Sequence, residues 1–274
     1  MTTHKLCQFL GAAMMAIVTF SAVNADEFAG KQWPAAKQVA IDDVKHDSWD
    51  SLLQKYVDED GMVNYQDWQN NETDRALLQT YLESLSQANP NAKSDEKAKL
   101  AYWINAYNAL TVEGILRVYP TTSIRNHTAR LIGYNIWKNL YLYSGSSKIN
   151  LDSIEHQVLR KMNEPRIHFA IVCASIGCPR LLNRAYTADD LEDQLTANAT
   201  DFFSRSQNLK IDTKDSILYL SSIMSWFGSD FGDSTTKQVQ TIAPYMSKEA
   251  KAFVAKGNFS VRYLDYDWDL NKQK

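Results

Sequence analysis

The stretch Ala98–Tyr119, AKLAYWINAYNALTVEGILRVY, decides how this chain is organised. Placed on a helical wheel at about 100° per residue, its apolar groups lie on nearly every side, so the pattern predicts a helix buried all round. The helix is expected from Asp95 to Tyr119, and Pro120 ends it. Asn105 and Asn108 are three residues apart and share one sector of that wheel, where apolar neighbours offer an amide no partner. Either the two amides hold backbone groups in the core, or one of them orients a catalytic imidazole.

Working outward, Trp49, Leu52, Leu53 and Tyr56 recur at helical spacing, and Asp60-Gly61 supplies a turn before Met62-Val63-Asn64-Tyr65. The cluster Asp58-Glu59-Asp60-Gly61 lacks the spaced ligands and closing Glu of a calcium loop and reads as a turn. Downstream, Ser144-Gly145-Ser146 predicts a hairpin between Leu140–Tyr143 and Lys148–Leu151, and a helix follows over Asp152–Met162, closed by Pro165. Ile167–Cys173 reads as a buried strand, because a β-branched and aromatic run of that length is short for a helix. The loop Ala174–Gly177 leads to Pro179 at a helix start, and Thr187 is expected to cap a helix through Ser204. A second hairpin, Lys210–Ile211 with Ile217–Leu220, and a last strand, Val261–Leu264, complete the reading. The fold class is α+β, a helix-rich single domain around a small, largely antiparallel sheet.

The N-terminus bounds location. Lys5, an apolar run from Phe9 to Val23 and Val23-Asn24-Ala25 before Asp26 predict a signal peptide over residues 1–25, and hence an exported protein, periplasmic or secreted. Cys7 is followed by Gln8, which argues against a lipid anchor. No later run is long enough for a membrane span. Residues 26–45 read as a polar, poorly ordered lead-in and 46–274 as the single domain. The formal charge of −3 becomes one unit more negative on loss of Lys5, and basic and acidic residues are mixed, so no nucleic-acid footprint is visible.

Chemistry concentrates in Ile154–Pro179, IEHQVLRKMNEPRIHFAIVCASIGCP, which holds two histidines and both cysteines that follow the signal. Thiol and imidazole titrate nearest neutral pH, so their proximity yields a thiolate nucleophile, a metal site or a redox pair. Glu155 falls within the apolar face of its helix and needs a partner, for which Arg166 or another distant Arg is expected, Arg160 projecting to the far side. His156, at the edge of that face, can direct one nitrogen to a cleft, as a general base must. On a regular strand His168 and Cys173 point to opposite sides, which makes His156 the better partner for Cys173 and counts against a zinc site from the four residues. No metal and no cofactor is expected. An oxidising compartment also permits Cys173 and Cys178 to pair, and a bridge over so few residues suits redox control better than bulk stability.

These segments resemble the domain of unknown function 547. The resemblance rests on Leu52-Leu53 with Tyr56-Val57, Gly61–Tyr65, Trp103–Leu110 (WINAYNAL), Ile154-Glu155-His156 with Leu159-Arg160, and Arg166–Ala170 leading to Cys173 and Cys178-Pro179. It extends to Ser221–Phe231 (SSIMSWFGSDF) and Leu264–Asn271 (LDYDWDLN). The family occurs in exported bacterial proteins and, in plants, beside coiled-coil segments, and no general activity is attached to it. The resemblance implies that Asn105, Asn108, His156 and Cys173 form the family's signature, with His168 and Cys178 more variable, which tilts the reading from a bridge toward Cys173 as the functional thiol.

The expected function is then an exported thiol-dependent enzyme of Cys-His-Asn type. His156 would deprotonate Cys173, Asn105 or Asn108 would orient His156, Glu155 would stand beside it, and the thiolate would attack an amide or thioester of a peptide-like or small thiol substrate. Backbone N–H groups of Ala174–Gly177 would form the oxyanion hole. The order Asn, His, Cys reverses that of papain, so the fold would be a permuted papain-like arrangement. The rival expectation is a non-catalytic binding or scaffold module that takes a protein partner, with Cys173 and Cys178 a structural or redox-active pair and the aromatic residues Trp103, Tyr107, Trp226, Phe227 and Trp268 mostly core.

Overall fold

A computed structural model of the chain describes residues 26–128 and 134–274. The expected signal segment lies outside the described residues. From the N-terminus, β1 (Glu27–Ala29) precedes the helices α1 (Asp47–Tyr56), α2 (Tyr65–Asn70) and α3 (Glu72–Ser86), and then α4 (Glu96–Val118). Asp95 caps α4 by accepting from the N–H groups of Lys97 and Ala98 at 2.9 and 3.1 Å, and every residue from Leu100 to Leu116 is buried. The all-round apolar wheel therefore reports a helix surrounded by other elements. The buried face of α1 is Trp49, Leu52, Leu53 and Tyr56; Trp49 stacks on Tyr81 of α3 at 5.7 Å and Tyr56 on Trp68 of α2 at 4.7 Å.

After α5 (Ile136–Asn139) come β2 (Leu140–Ser144) and β3 (Ser147–Asn150), antiparallel to each other as the Ser-Gly-Ser turn predicts, with β1 parallel to β2 on its other edge. The lead-in is thus part of the fold. Its Ala29, Ile41 and Val44 are buried, but they are scattered singly among polar residues, and the strand that β1 joins lies more than a hundred residues away. The helix expected over 152–162 is broken up: α6 (Leu151–Ser153) widens into a π turn over Ile154–Val158 and tightens into a 3-10 turn over Leu159–Met162. It stops where Asn163 takes φ +56°.

The expected strand Ile167–Cys173 does not form. Pro165–Phe169 is a 3-10 turn, with Pro165 in its first turn and the Glu164 carboxylate accepting from the Arg166 N–H, and the chain then continues to Cys173 without regular secondary structure. Ile167 through Val172 are all buried, so no alternation was there to separate strand from tight turn. α7 (Leu191–Ser204) begins later than Thr187, whose hydroxyl instead accepts the Asp190 N–H at 3.2 Å in a turn before the helix. β4 (Leu209–Asp212) and β5 (Ile217–Leu220) form the second hairpin, α8 (Ser222–Phe227), α9 (Thr235–Ile242) and α10 (Lys248–Ala255) follow, and β6 (Ser260–Tyr263) adds parallel to β5.

The architecture is α+β and helix-rich, with two small mixed three-stranded sheets where one largely antiparallel sheet was expected. Two apolar clusters result: a large one around α1 to α4, and a smaller one of Phe169, Phe202, Phe203 and the faces of β5 and α8 to α10. Tyr266, in the C-terminal segment, touches both. The cysteine loop lies at that junction. No described helix is long and apolar enough to cross a membrane.

Candidate functional site

A cavity of about 270 Å³ opens where α4, the π turn, the cysteine loop, α8 and the C-terminal segment meet. Its lining brings together Cys173 and Cys178, the titratable Glu155, His156 and His168, and the aromatic Trp226, Phe227, Tyr266 and Trp268. Tyr107, Trp137, Lys138 and Asp152 complete the parts that carry chemistry. Trp226 is 47 % exposed and tilts against Tyr266 at 4.8 Å, and Tyr266 in turn packs on Trp268 at 4.5 Å. Trp226 borders the opening, while Tyr266 and Trp268 are partly buried against the core.

Cys173 and Cys178 are joined as a disulfide. The two sulfurs differ in surroundings: Cys178 is buried at 7 % exposure, whereas Cys173 is partly open to the cavity. Three groups converge on Cys178 Sγ. The Cys173 backbone N–H donates at 3.0 Å, the Tyr266 hydroxyl at 3.0 Å and the Ser175 hydroxyl at 3.4 Å. The same two hydroxyls lie 3.1 and 3.2 Å from Cys173 Sγ and 2.9 Å from each other. Burial pushes the Tyr266 phenol far above its ordinary range, so it stays protonated and available as a donor.

The loop between the cysteines is strapped by the C-terminal segment. Ile176 and Gly177 donate their N–H groups to the carbonyls of Asp269 and Asp267, both at 2.8 Å, and Asn271 N–H donates to Ala174 at 3.3 Å. A Cβ on Gly177 would meet the Asp267 carbonyl oxygen at 2.9 Å, so glycine is what lets the two backbones approach. Two of the four loop amides proposed for an oxyanion hole are therefore spent on the strap.

Asn105 and Asn108 lie away from the imidazole. The Asn105 amide donates to the Tyr186 carbonyl at 2.8 Å and accepts its N–H at 2.9 Å; Asn108 does the same across Ala170 O and Val172 N–H, at 3.0 and 2.9 Å. Each side chain closes a two-bond clamp on buried backbone, and Asn108 thereby fixes the run that enters Cys173. The structure does not join Asn, His156 and Cys173 into one hydrogen-bonded set. His156 is exposed, and its Nδ1 lies 3.3 Å from Arg160 Nη1. Guanidinium nitrogens only donate, so this Nδ1 is an acceptor and the proton sits on Nε2.

Arg166 does not hold Glu155. It is spent on Glu164 at 2.6 Å and Glu192 at 2.8 Å. Arg160 reaches past its own helix, as projected, and clasps Asp230 with two bonds of 2.6 and 2.7 Å. Asp230 also receives His168 Nε2 at 2.8 Å. Chiefly through Arg160, the Asp230 carboxyl is held down at about 2, while burial keeps the His168 imidazole below its ordinary value. His168 stacks on Phe227 at 4.3 Å and faces the same cavity as Cys173. The opposite facing expected of them rested on a strand that is absent. Among the described residues Glu155 is left with one hydrogen bond, from the Tyr107 hydroxyl at 3.2 Å, and burial raises its pKa.

Residues 91–203 match the DUF547 family, described as Protein of unknown function. No curated protein and no solved structure matches the chain. The DUF547 segment contains all five residues singled out from sequence, Asn105, Asn108, Glu155, His156 and Cys173, together with Cys178 and Ser175. The aromatic wall, Asp230 and Tyr266 lie beyond it. A signal for part of that wall was present: in Asp265–Leu270 the acids alternate with Tyr266, Trp268 and Leu270, and the structure exposes the acids while turning the others inward.

Proposed function

We propose that Cys173 and Cys178 are a redox-active pair that exchanges with the thiol or disulfide of a small or peptide-like substrate held in the aromatic cavity. The observation that carries this reading is the asymmetry of the two sulfurs, both of which line the cavity: Cys173 is the more exposed, while Cys178 is buried and takes the Cys173 N–H in addition to the two hydroxyls that both sulfurs share. A substrate thiolate attacks Cys173 Sγ, the bond to Cys178 breaks, and Cys178 departs as a thiolate whose charge those donors stabilise. The product is a mixed disulfide on Cys173. A second substrate thiolate then attacks the substrate sulfur and releases Cys173 as thiolate. Two electrons pass from two thiols to the protein disulfide, and the two thiol protons end on Cys173 and Cys178. Run backward, the dithiol reduces a substrate disulfide. An exported location would supply the oxidised form.

A second reading keeps the thiol-dependent attack on an amide or thioester. It is favoured by one observation, that Cys173 shares its cavity with Glu155 and His156, and it requires the pair to be reduced.

The test uses Cys178→Ala and Cys173→Ala with 2-hydroxyethyl disulfide as substrate, read by intact mass. In Cys178→Ala a stable mixed disulfide is expected on Cys173, and in Cys173→Ala the buried partner is expected to react far more slowly. Equal labelling of the two variants would remove the assigned roles. A wild-type disulfide reduced no faster by 2-mercaptoethanol in the folded protein than in guanidinium would leave the binding or scaffold reading in its place. Turnover of amide or thioester substrates by the reduced protein, with no exchange, would favour the second reading.

A further inference from the structure

Resting on the exchange reading, we infer that the substrate of this cavity is an aminothiol, a small thiol or disulfide that carries a protonated amine, with its ammonium group at Glu155 and its sulfur at Cys173. A buried carboxylate is paired with a cation or takes several donors. Glu155 has the Tyr107 hydroxyl at 3.2 Å on one oxygen, and among the described residues no Lys or Arg forms an ion pair with it. The two arginines nearest in sequence are engaged by Asp230, Glu164 and Glu192, and His156 presents an acceptor nitrogen to Arg160. Arg160 and His156 act on Glu155 only through space, so among the described residues no cation is in contact with it, and the substrate supplies one.

The rest of the cavity agrees with that chemistry. Its carboxyl groups are Glu155 and Asp152, and Lys138, His156 and His168 are its basic side chains. Trp226, Tyr266 and Trp268 line the same cavity, and Arg125 already stands over the Trp268 ring at 5.1 Å, so this aromatic group accepts a cation. A carboxylate-bearing thiol would meet Asp152 and Glu155 with like charge. The accessible sulfur of Cys173 opens into this same space, whose volume suits a small molecule and not a folded partner.

The experiment compares three thiols on the oxidised protein: cysteamine, 2-mercaptoethanol and 3-mercaptopropionate. Rates of reduction of the Cys173–Cys178 bond are corrected for the thiolate fraction of each and divided by the rate on the guanidinium-unfolded chain. Cysteamine is expected to exceed 2-mercaptoethanol by about tenfold and 3-mercaptopropionate by more. In Glu155→Gln cysteamine should fall to the level of the neutral thiol. Because that variant alters a buried group, a second arm uses wild type alone: ethylammonium chloride, against sodium chloride at equal ionic strength, should slow cysteamine and leave 2-mercaptoethanol less affected. Fast reduction by all three thiols with no charge preference, or a preference that persists in Glu155→Gln, overturns this inference and leaves the exchange reading standing. Reduction by none of them above the unfolded rate overturns the exchange reading.

Discussion

Tyr266 contributes one hydroxyl to the sulfur that must leave. In the proposed exchange the negative charge appears on Cys178, where the rate depends on how readily that thiolate departs. Removing a single donor from a buried developing charge is a loss of about 1 kcal/mol or more. Tyr266→Phe should therefore slow reduction by 2-mercaptoethanol about five- to tenfold while keeping the ring contacts with Trp226 and Trp268. Stopped-flow kinetics on the oxidised variant decide this; an unchanged rate would mean that the hydroxyl serves packing alone. At this scale the sequence placed Glu155 on its helix and misjudged its partner. That Glu155 sits on an apolar face is local information, readable at about 100° per residue. That Arg166 turns to Glu164 and Glu192, and Arg160 to Asp230 on a segment seventy residues on, depends on how distant chain segments meet.

The clamps made by Asn105 and Asn108 belong to the scale of elements. They tie α4 to the two irregular segments that replace the expected strand and the start of the expected helix. A helix buried from Leu100 to Leu116 has no polar surface of its own, so an amide with one donor and one acceptor is an economical way to satisfy a neighbouring peptide on each side. Asn108→Ala would leave the Ala170 carbonyl and the Val172 N–H without partners in the core. A loss of about 2–4 kcal/mol is expected, measured by urea denaturation. The pH dependence of the exchange rate should keep its shape, because the amide touches neither sulfur nor imidazole; a displaced profile would return Asn108 to the chemistry. Long or turn-punctuated elements were legible in the sequence: α4 by its length, and the two hairpins by Ser144-Gly145-Ser146 and the polar turn after Asp212. The run from Ile167 was not, because uniform burial erases the period that distinguishes its alternatives, and with it went the argument that His168 and Cys173 face apart.

Over the whole molecule, groups displaced in opposite directions set how stability follows pH. Unfolding restores His46 to its ordinary value near 6.5 from about 4, where burial holds it, so the unfolded chain takes up its proton first and stability falls as pH drops through that interval, by about 2–3 kcal/mol. Asp230 adds a second loss at lower pH: its contribution is complete above 3.8 and disappears as pH falls through about 2, on the order of 1 kcal/mol for so partly exposed a carboxyl. Glu155 runs the other way. With its folded pKa raised above 4.5 by burial, its contribution is complete below 4.5 and is lost as pH rises through the raised value, because the folded protein must then carry a charge with one weak donor. Glu155→Gln is accordingly expected to be more stable than wild type at neutral pH and to lose that advantage in acid, as read from urea midpoints between pH 3 and 8. Ethylammonium at the carboxylate should raise the wild-type midpoint at neutral pH and leave that of Glu155→Gln where it is. If the substitution destabilises the protein at neutral pH, a cation within the chain already holds Glu155, and the external ammonium loses the deficit from which it was inferred.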